Sequence, residues 1–268
     1  MNHEVVITVL GSGTSQGVPV IACDCHVCRS DDPKDKRLRS SVMISVAGQN
    51  YVIDAGPDFR QQMLREDVKS LRAVIFTHEH KDHLAGLDDV RAFNYREQRD
   101  MEVYCTNRVS EALHREYAYV FSHERYPGIP SINLNIIDNA PFKLIDGPVL
   151  NPIEVMHYKM PVLGFRLGDF TYITDAKTIS KHERDKVRGT KVLMVNALHR
   201  SEHLSHFNLD EAMEFINDVR PEVAYLTHIS HLFGTEKEIE RDLPANVHLA
   251  YDGMKISIEI KDKQFISK

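Results

Sequence analysis

Apolar and polar positions along this chain group into many short runs, most with the period of a strand. Val5–Leu10 ends in Gly11-Ser12-Gly13. Ser41–Val46, then Gly48-Gln49-Asn50, then Tyr51–Asp54 reads as a hairpin. Ala73–Thr77 is an unbroken apolar run, as expected of a strand buried on both faces. Further strands are predicted at Glu102–Thr106, Leu134–Ile137, Pro152–Met156 and Gly164–Leu167. Phe170–Thr174, Lys191–Val195, Val223–Thr227 and Lys255–Ile260 complete the set. Helices are fewer. Ser110–Val120 has helical composition. Asn208 precedes Leu209–Val219, whose apolar residues at 209, 212, 213, 215, 216 and 219 form one face that Pro221 ends. Thr235 can cap Glu236–Leu243, with Glu238 at the capping-box spacing. His123–Ile132, with two prolines, a glycine and aromatics, reads as a surface loop. Strands with interspersed helices and no break in composition predict a single α/β domain over residues 1–268. Two sheets would pack together with helices outside.

Composition narrows the function more than the fold. The net charge of −6 argues against a surface built to coat nucleic acid. It leaves room for a small phosphorylated substrate in a metal-lined pocket, where the ions supply positive charge. Fifteen histidines against ten tyrosines and no tryptophan make a histidine-rich chain, and histidine is the commonest metal-binding side chain. Met1-Asn2-His3-Glu4 leads straight into a strand without a charged-then-apolar leader. The longest apolar runs, such as Val192–Val195, are too short to span a bilayer. Cysteines stand at 23, 25, 28 and 105; three crowded into six positions suit metal binding in a reducing compartment better than disulfides. The expectation is a cytoplasmic protein with no membrane partner, and a homodimer is left open.

The chemistry concentrates in Thr77-His78-Glu79-His80-Lys81-Asp82-His83, directly after a buried strand. Residues two apart in extended chain point the same way, so His78 and His80 can share an ion. Asp82 and His83 fall where Leu84–Leu87 can begin a helix, and can face the same cavity from another direction. Imidazole and carboxylate donors suit zinc, manganese or iron. More candidate ligands end other strands: His157 after Ile153–Met156, Asp175 after Phe170–Thr174, and His228 after Val223–Thr227. Together they complete two sites, one of three histidines and one of two histidines and an aspartate, with one aspartate left to bridge. Cys23-Asp24-Cys25-His26-Val27-Cys28 is a second cluster. Three thiolates in one loop favour a closed structural zinc site that wants a fourth ligand. His26 is poorly placed for it, inside the chelate loop.

The pattern His-x-His-x-Asp-His, then His, Asp and His, resembles that of metallo-β-lactamase-fold hydrolases. Within them the chain looks most like the PhnP group of cyclic-phosphate phosphodiesterases. The resemblance runs through Gly11–Pro19, the cysteine cluster, Val52–Gly56, Phe76–Leu87 and His157–Leu167. It continues through Tyr172–Ala176, His206–Ala212, Leu226–Phe233 and Tyr251–Met254. It implies a four-layer αββα sandwich. It also implies His78, His80 and His157 on one divalent metal, Asp82, His83 and His228 on the other, and Asp175 bridging, with zinc or manganese as the ions. Asp54 would support the metal loop, and His231 would complete a structural zinc site with Cys23, Cys25 and Cys28. The implied reaction is hydrolysis of a small phosphodiester, such as a phosphoribosyl cyclic phosphate or a cyclic nucleotide, by attack of a metal-bridging hydroxide. Asp82 and His206 are the implied catalytic residues, with His206 protonating the leaving oxygen and His199 and His203 as alternatives; Lys159 could contact a phosphate oxygen. Competing readings are a thioesterase, lactonase or nuclease on the same fold, and a PqqB-like metal-binding protein without activity. Residues 88–150 fit the family pattern least and are expected at the substrate entrance.

Overall fold

The computed structural model describes residues 2–122 and 126–265; part of the loop expected at His123–Ile132 lies outside them. Six strands, β1 (Asn2–Gly11), β2 (Ser41–Val46), β3 (Gln49–Ile53), β4 (Ala73–Ile75), β5 (Met101–Cys105) and β6 (Ile132–Ile136), build the first sheet in chain order. The next seven build the second: β7 (Phe142–Lys143), β8 (Val149–His157), β9 (Met160–Leu167), β10 (Phe170–Ile173), β11 (Val192–Asn196), β12 (Val223–Thr227) and β13 (Val247–Leu249). The last strand, β14 (Lys255–Lys261), returns to the first sheet as the outer neighbour of β1.

Period-two alternation makes the layers. Val5, Ile7 and Val9 of β1, Val42, Ile44 and Val46 of β2, and Tyr51 and Ile53 of β3 face Phe165 and Leu167 of β9 and Phe170 and Tyr172 of β10. The intervening Met43, Val52 and Val74 turn outward to the first helix layer, and Ile173, Leu193 and Val195 turn to the second. Each large apolar side chain so buried contributes about 1.5–3 kcal/mol. The first helix layer holds α1 (Phe59–Arg65), α2 (Lys81–Leu84), α3 (Arg91–Glu97) and α4 (Asn107–Glu116). The second holds α5 (Lys181–Val187), α6 (Leu209–Val219) and α7 (Glu236–Glu240). This is the expected αββα sandwich.

Three helices differ in extent from the pattern-based expectation; the last, α7, ends at Glu240 rather than Leu243. Thr106 Oγ1 accepts from Val109 N–H, so α4 starts at Asn107 rather than Ser110 and ends at Glu116 rather than Val120. The helix expected to start at Leu84 instead spans Lys81–Leu84, so it carries Asp82 and His83 itself. Much of residues 88–150 is scaffold. They form α3, β5, α4 and β6, with Phe93, Val103, Val109 and Leu113 in the core under the first helix layer. Among the described residues they reach the metal loop through charge pairs, Arg108 with Glu79 and Glu116 with Lys81, and through the Tyr117 hydroxyl, which donates to Leu84 O at 2.8 Å.

In each sheet four of the seven strands run parallel, β3 to β6 and β10 to β13. Their carboxyl ends therefore open on one rim. Asp54 follows β3, His78 lies just beyond β4, Asp175 just beyond β10, and His228 directly follows β12. Open α/β sheets bind ligands at such strand ends.

Candidate metal centre

Seven candidate ligands, distant in sequence, meet on this rim. The His78 ring lies 4.7 Å from that of His80, 4.2 Å from His83 and 6.0 Å from His157. His80 and His157 are 5.1 Å apart, and His83 stacks on His228 at 5.8 Å. Donor atoms of His78, His83 and Asp175 form one compact set, those of Asp82, His83 and His228 a second, and those of His157, Asp175 and His206 a third. Asp175 is central, with Oδ2 3.2 Å from His83 Nε2 and Oδ1 3.4 Å from His228 Nε2 and 3.5 Å from His206 Nδ1. His80 joins by ring contacts and is half-exposed at the edge.

Hydrogen bonds behind the rings decide which nitrogen faces the cavity. Asp54 Oδ1 accepts from Thr77 N–H at 2.9 Å, and its Oδ2 from Thr77 Oγ1 at 2.8 Å and from His83 Nδ1 at 2.7 Å. Thr77 Oγ1 thus donates its hydrogen bond to Asp54 and accepts one from His78 Nδ1 at 2.9 Å. One buried carboxylate orients two imidazoles. His157 Nδ1 donates to Ser205 O at 2.8 Å. Ser40 Oγ donates to Gly13 O, so it accepts from His228 Nδ1 at 3.2 Å. All four rings present Nδ1–H to these acceptors and turn Nε2 inward. The Nε2 atoms of His78, His83 and His228 are buried with no hydrogen-bond partner.

The electrostatics agree. Burial pushes the His78, His80 and His228 imidazoles below their ordinary range. Burial alone would lower His83 too, but Asp82, Asp54 and Asp175 overcome it and raise it well above that range. Burial would raise Asp82 and Asp175; the adjacent His83 and His228 outweigh it and hold both well below the usual carboxylate range. Burial raises the Asp54 carboxyl, with His83 the main opposing influence. His206 is pushed down to about 3 by burial, with Asp175 the main opposing influence. Three carboxylates around one imidazole are an excess of negative charge in a buried place.

The backbone bends to make this arrangement. Asp54, Asp175 and His228 have φ of 66°, 57° and 58°, a left-handed conformation uncommon outside glycine that collects at functional sites. Gly56 is required for a different reason: a Cβ there would sit 1.9 Å from Asp82 O, so only glycine lets the turn after β3 lie against the metal loop. None of this is legible in a linear pattern. Nor are the roles of Thr77, Ser40 and Ser205, whose residue types carry no signal of their own.

The second cluster also forms. Sγ of Cys23, Cys25 and Cys28 lie 3.3, 3.4 and 3.5 Å from His231 Nδ1. Cys28 N–H donates to Cys25 Sγ at 3.4 Å and lowers that thiol to about 6. Burial raises Cys28 to about 11, and Val20 N–H donates to it. His26 points away and pairs with Glu238 at 3.1 Å, 67% exposed. Cys105 is buried at the end of β5 and takes no part.

Residues 49–229 match the Beta-lactamase superfamily domain. The chain belongs to the metallo-β-lactamase superfamily. Within the superfamily it is PhnP-like: it is 35% identical to the solved structure of a new diphosphatase from the PhnP family, covering 97% of this chain and 99% of that one at a TM-score of 0.91. It is 39% identical to an octanoyltransferase of Porphyromonas gingivalis over 94% of this chain and 51% of that protein. It is 28% identical to the coenzyme PQQ synthesis protein B of Rhodopseudomonas palustris over 59% of this chain and 53% of that protein. The chain thus spans about half the length of these curated relatives. A hydrolase fold that binds divalent metal accounts for the inward-facing donors of this PhnP-like chain.

The other candidate residues are placed as follows. His206, just before α6, packs its ring 4.5 Å from His157 and 4.9 Å from His228, and its Nδ1 is buried without a hydrogen-bond partner. His203 stacks on it at 5.1 Å, and His199 lies beyond, 5.8 Å from His203. Lys159 is exposed, with its ammonium over the Tyr158 ring. Among the described residues no helix is long and apolar enough to cross a membrane.

Proposed function

We propose that this PhnP-like protein is a dinuclear metal hydrolase of a small phosphodiester, cyclic ones included. The observation that carries the reading is the position of Asp175, 2% exposed, with its two oxygens between inward-facing imidazole nitrogens that have no hydrogen-bond partner. Those orphaned nitrogens and the surplus carboxylates fit divalent cations and fit little else. A cation would take the place of a proton on His83 Nε2. His78, His80 and His157 would hold one ion and Asp82, His83 and His228 the other, with Asp175 shared. Divalent ions in such a pair supply Lewis-acid polarisation of phosphoryl oxygens and an activated water at neutral pH.

The chain's own residues do the rest. Asp54 and Thr77 hold the His78 and His83 rings in one tautomer and one orientation, so no reorganisation accompanies the reaction. Asp82, carried on α2, keeps its carboxylate ionised beside His83. His206 gives a proton to the departing alkoxide. Its imidazole is neutral in this structure, so it gains that proton only when an anionic phosphoryl group enters beside it and offsets the cost of burying the charge. The PhnP-family diphosphatase, similar over nearly the full length, supports phosphorus as the reacting centre. The Cys23, Cys25, Cys28 and His231 set would hold a structural zinc.

A second reading is hydrolysis of a carboxylic thioester. It is favoured by the likeness to a protein named for transfer of an octanoyl group, although half of that protein lies outside the match. One experiment separates the two. The purified chain, supplied with zinc or manganese, is assayed on a 2′,3′-cyclic nucleotide, bis-p-nitrophenyl phosphate, a diphosphate ester and an octanoyl thioester. Metal-dependent, chelator-sensitive release from a phosphodiester is expected. Turnover of the thioester alone would overturn the phosphodiesterase reading and support the second.

A further inference from the structure

A pocket of about 240 Å³ opens between α1 and α3, on the helix-layer side of the metal loop. Its floor is apolar, made by Phe59, Met63, Val68 and Phe93; Leu64, on its wall, is 64% exposed. Phe59 also backs the metal loop, for a Cβ on Gly86 would fall 2.8 Å from the Phe59 Cβ. The mouth is charged. Arg60, Lys69, Arg96 and Asp89 stand around it. Lys69 is neutralised by Asp67. Among the described residues the Arg60 and Arg96 side chains have neither a hydrogen bond nor an ion pair, although most of the other arginine side chains have one, and this in a chain of net charge −6. Two free guanidiniums and one carboxylate leave a single positive charge beside an apolar cavity. The cavity is smaller than the ~300–1,000 Å³ of sites for drug-sized ligands.

We infer that this pocket is a binding site, separate from the metal centre, for a medium-chain carboxylate. The chain would lie on Phe59, Met63 and Phe93, and the head group would accept from Arg60 and Arg96. Guanidinium groups match a carboxylate in bidentate geometry. The net single charge favours a monoanion over the dianion of an alkyl phosphate, which Asp89 would repel. A neutral chain of the same length would leave both arginines unanswered.

The test is calorimetric titration of the full chain with sodium octanoate, octan-1-ol and octyl phosphate. Octanoate should bind saturably, with one site and a Kd of about 1 mM or tighter. Octan-1-ol should bind at least about 5-fold more weakly, and octyl phosphate no more tightly than octanoate. Ala92→Trp, at an exposed position lining the pocket, should weaken octanoate at least about 10-fold by filling the cavity. The double substitution Arg60→Ala with Arg96→Ala removes no side-chain hydrogen bond or ion pair among the described residues and should erase the preference for octanoate over octan-1-ol. Hydrolysis by the metal centre should be unchanged in both variants, so failure here is distinct from failure of the proposed activity. Non-saturable binding, octanoate binding untouched by Ala92→Trp, or tighter binding of octyl phosphate would each overturn the assignment.

Discussion

The histidine–aspartate cluster and the Cys23–Cys25–Cys28–His231 cluster meet the two ends of one short segment, His228 to His231, and they are built in opposite ways. The first draws donors from the loop after β4, from α2 and from the ends of β8, β10 and β12. His78, His83, Asp175 and His228 are all buried, and a hydrogen bond from behind turns each imidazole. The second takes three donors from a single loop and borrows the fourth, and its sulfurs are steadied by local backbone N–H groups of Val20 and Cys28. Cys23, Cys25 and His231 remain partly exposed. A site whose geometry depends on five separate segments can be oriented finely but exists only in the folded chain. A site with three of its four donors in one loop can tie that loop to the segment that lends the fourth, and its closed donor set leaves no open position for a substrate.

Four substitutions test how far the two clusters differ. Asp175→Ala removes the carboxylate shared by both halves of the first cluster. Hydrolysis should fall to background with the circular dichroism spectrum unchanged, and bound metal should drop. Full turnover by this variant would end the two-ion assignment. His206→Ala should cost on the order of 10²-fold or more on a cyclic or alkyl phosphodiester, whose leaving alkoxide needs a proton. The loss should be much smaller on bis-p-nitrophenyl phosphate, and the metal content should hold. If both substrates suffer equally or an ion is lost, His206 is a ligand, as its place beside His157 and Asp175 allows.

Asp54→Asn keeps a residue type that tolerates a left-handed φ but loses one acceptor oxygen behind His78 and His83. Metal affinity or activity should fall about 10–100-fold; equilibrium dialysis against a metal buffer measures it. A change under 2-fold would mean that the rings are oriented by packing alone. Cys25→Ser should have the smallest effect on turnover and act on stability instead. One zinc per chain should be lost and Tm should fall by several degrees, since each 1 kcal/mol is worth about 2–4 °C in a chain of roughly this size. Unchanged zinc and Tm would remove the structural role from the second cluster.

The elements most legible in the sequence are those with a full apolar period. Ser41–Val46, Val223–Thr227 and Leu209–Val219 have the boundaries that the pattern predicts. The capping box expected at Thr235 forms, and the structure adds a second, between Asn208 and Glu211. Helices α1, α3 and α5 gave no such signal. In α5 only Val187 is both apolar and buried, since Glu183 turns inward to accept from Asn139 and Glu154 N–H. A seven-residue helix has two turns, too few for the 3.6 period to show against chance. β13, three residues long, escapes for the same reason.

The kinds of donor, their order and their place at strand ends can be read from the residues alone, because alternation and strand length are local properties of the chain. The cysteine loop is legible for the same reason. Only the tertiary structure decided that Asp54 serves both His78 and His83, that His231 and not His26 faces the thiolates, and that Asp54, Asp175 and His228 adopt left-handed backbone. It alone brought Arg60 and Arg96 to the mouth of one pocket. These are relations between residues far apart in the chain. They are fixed by the parallel strand order and by close packing between layers, neither of which leaves a periodic trace in the segments that obey them.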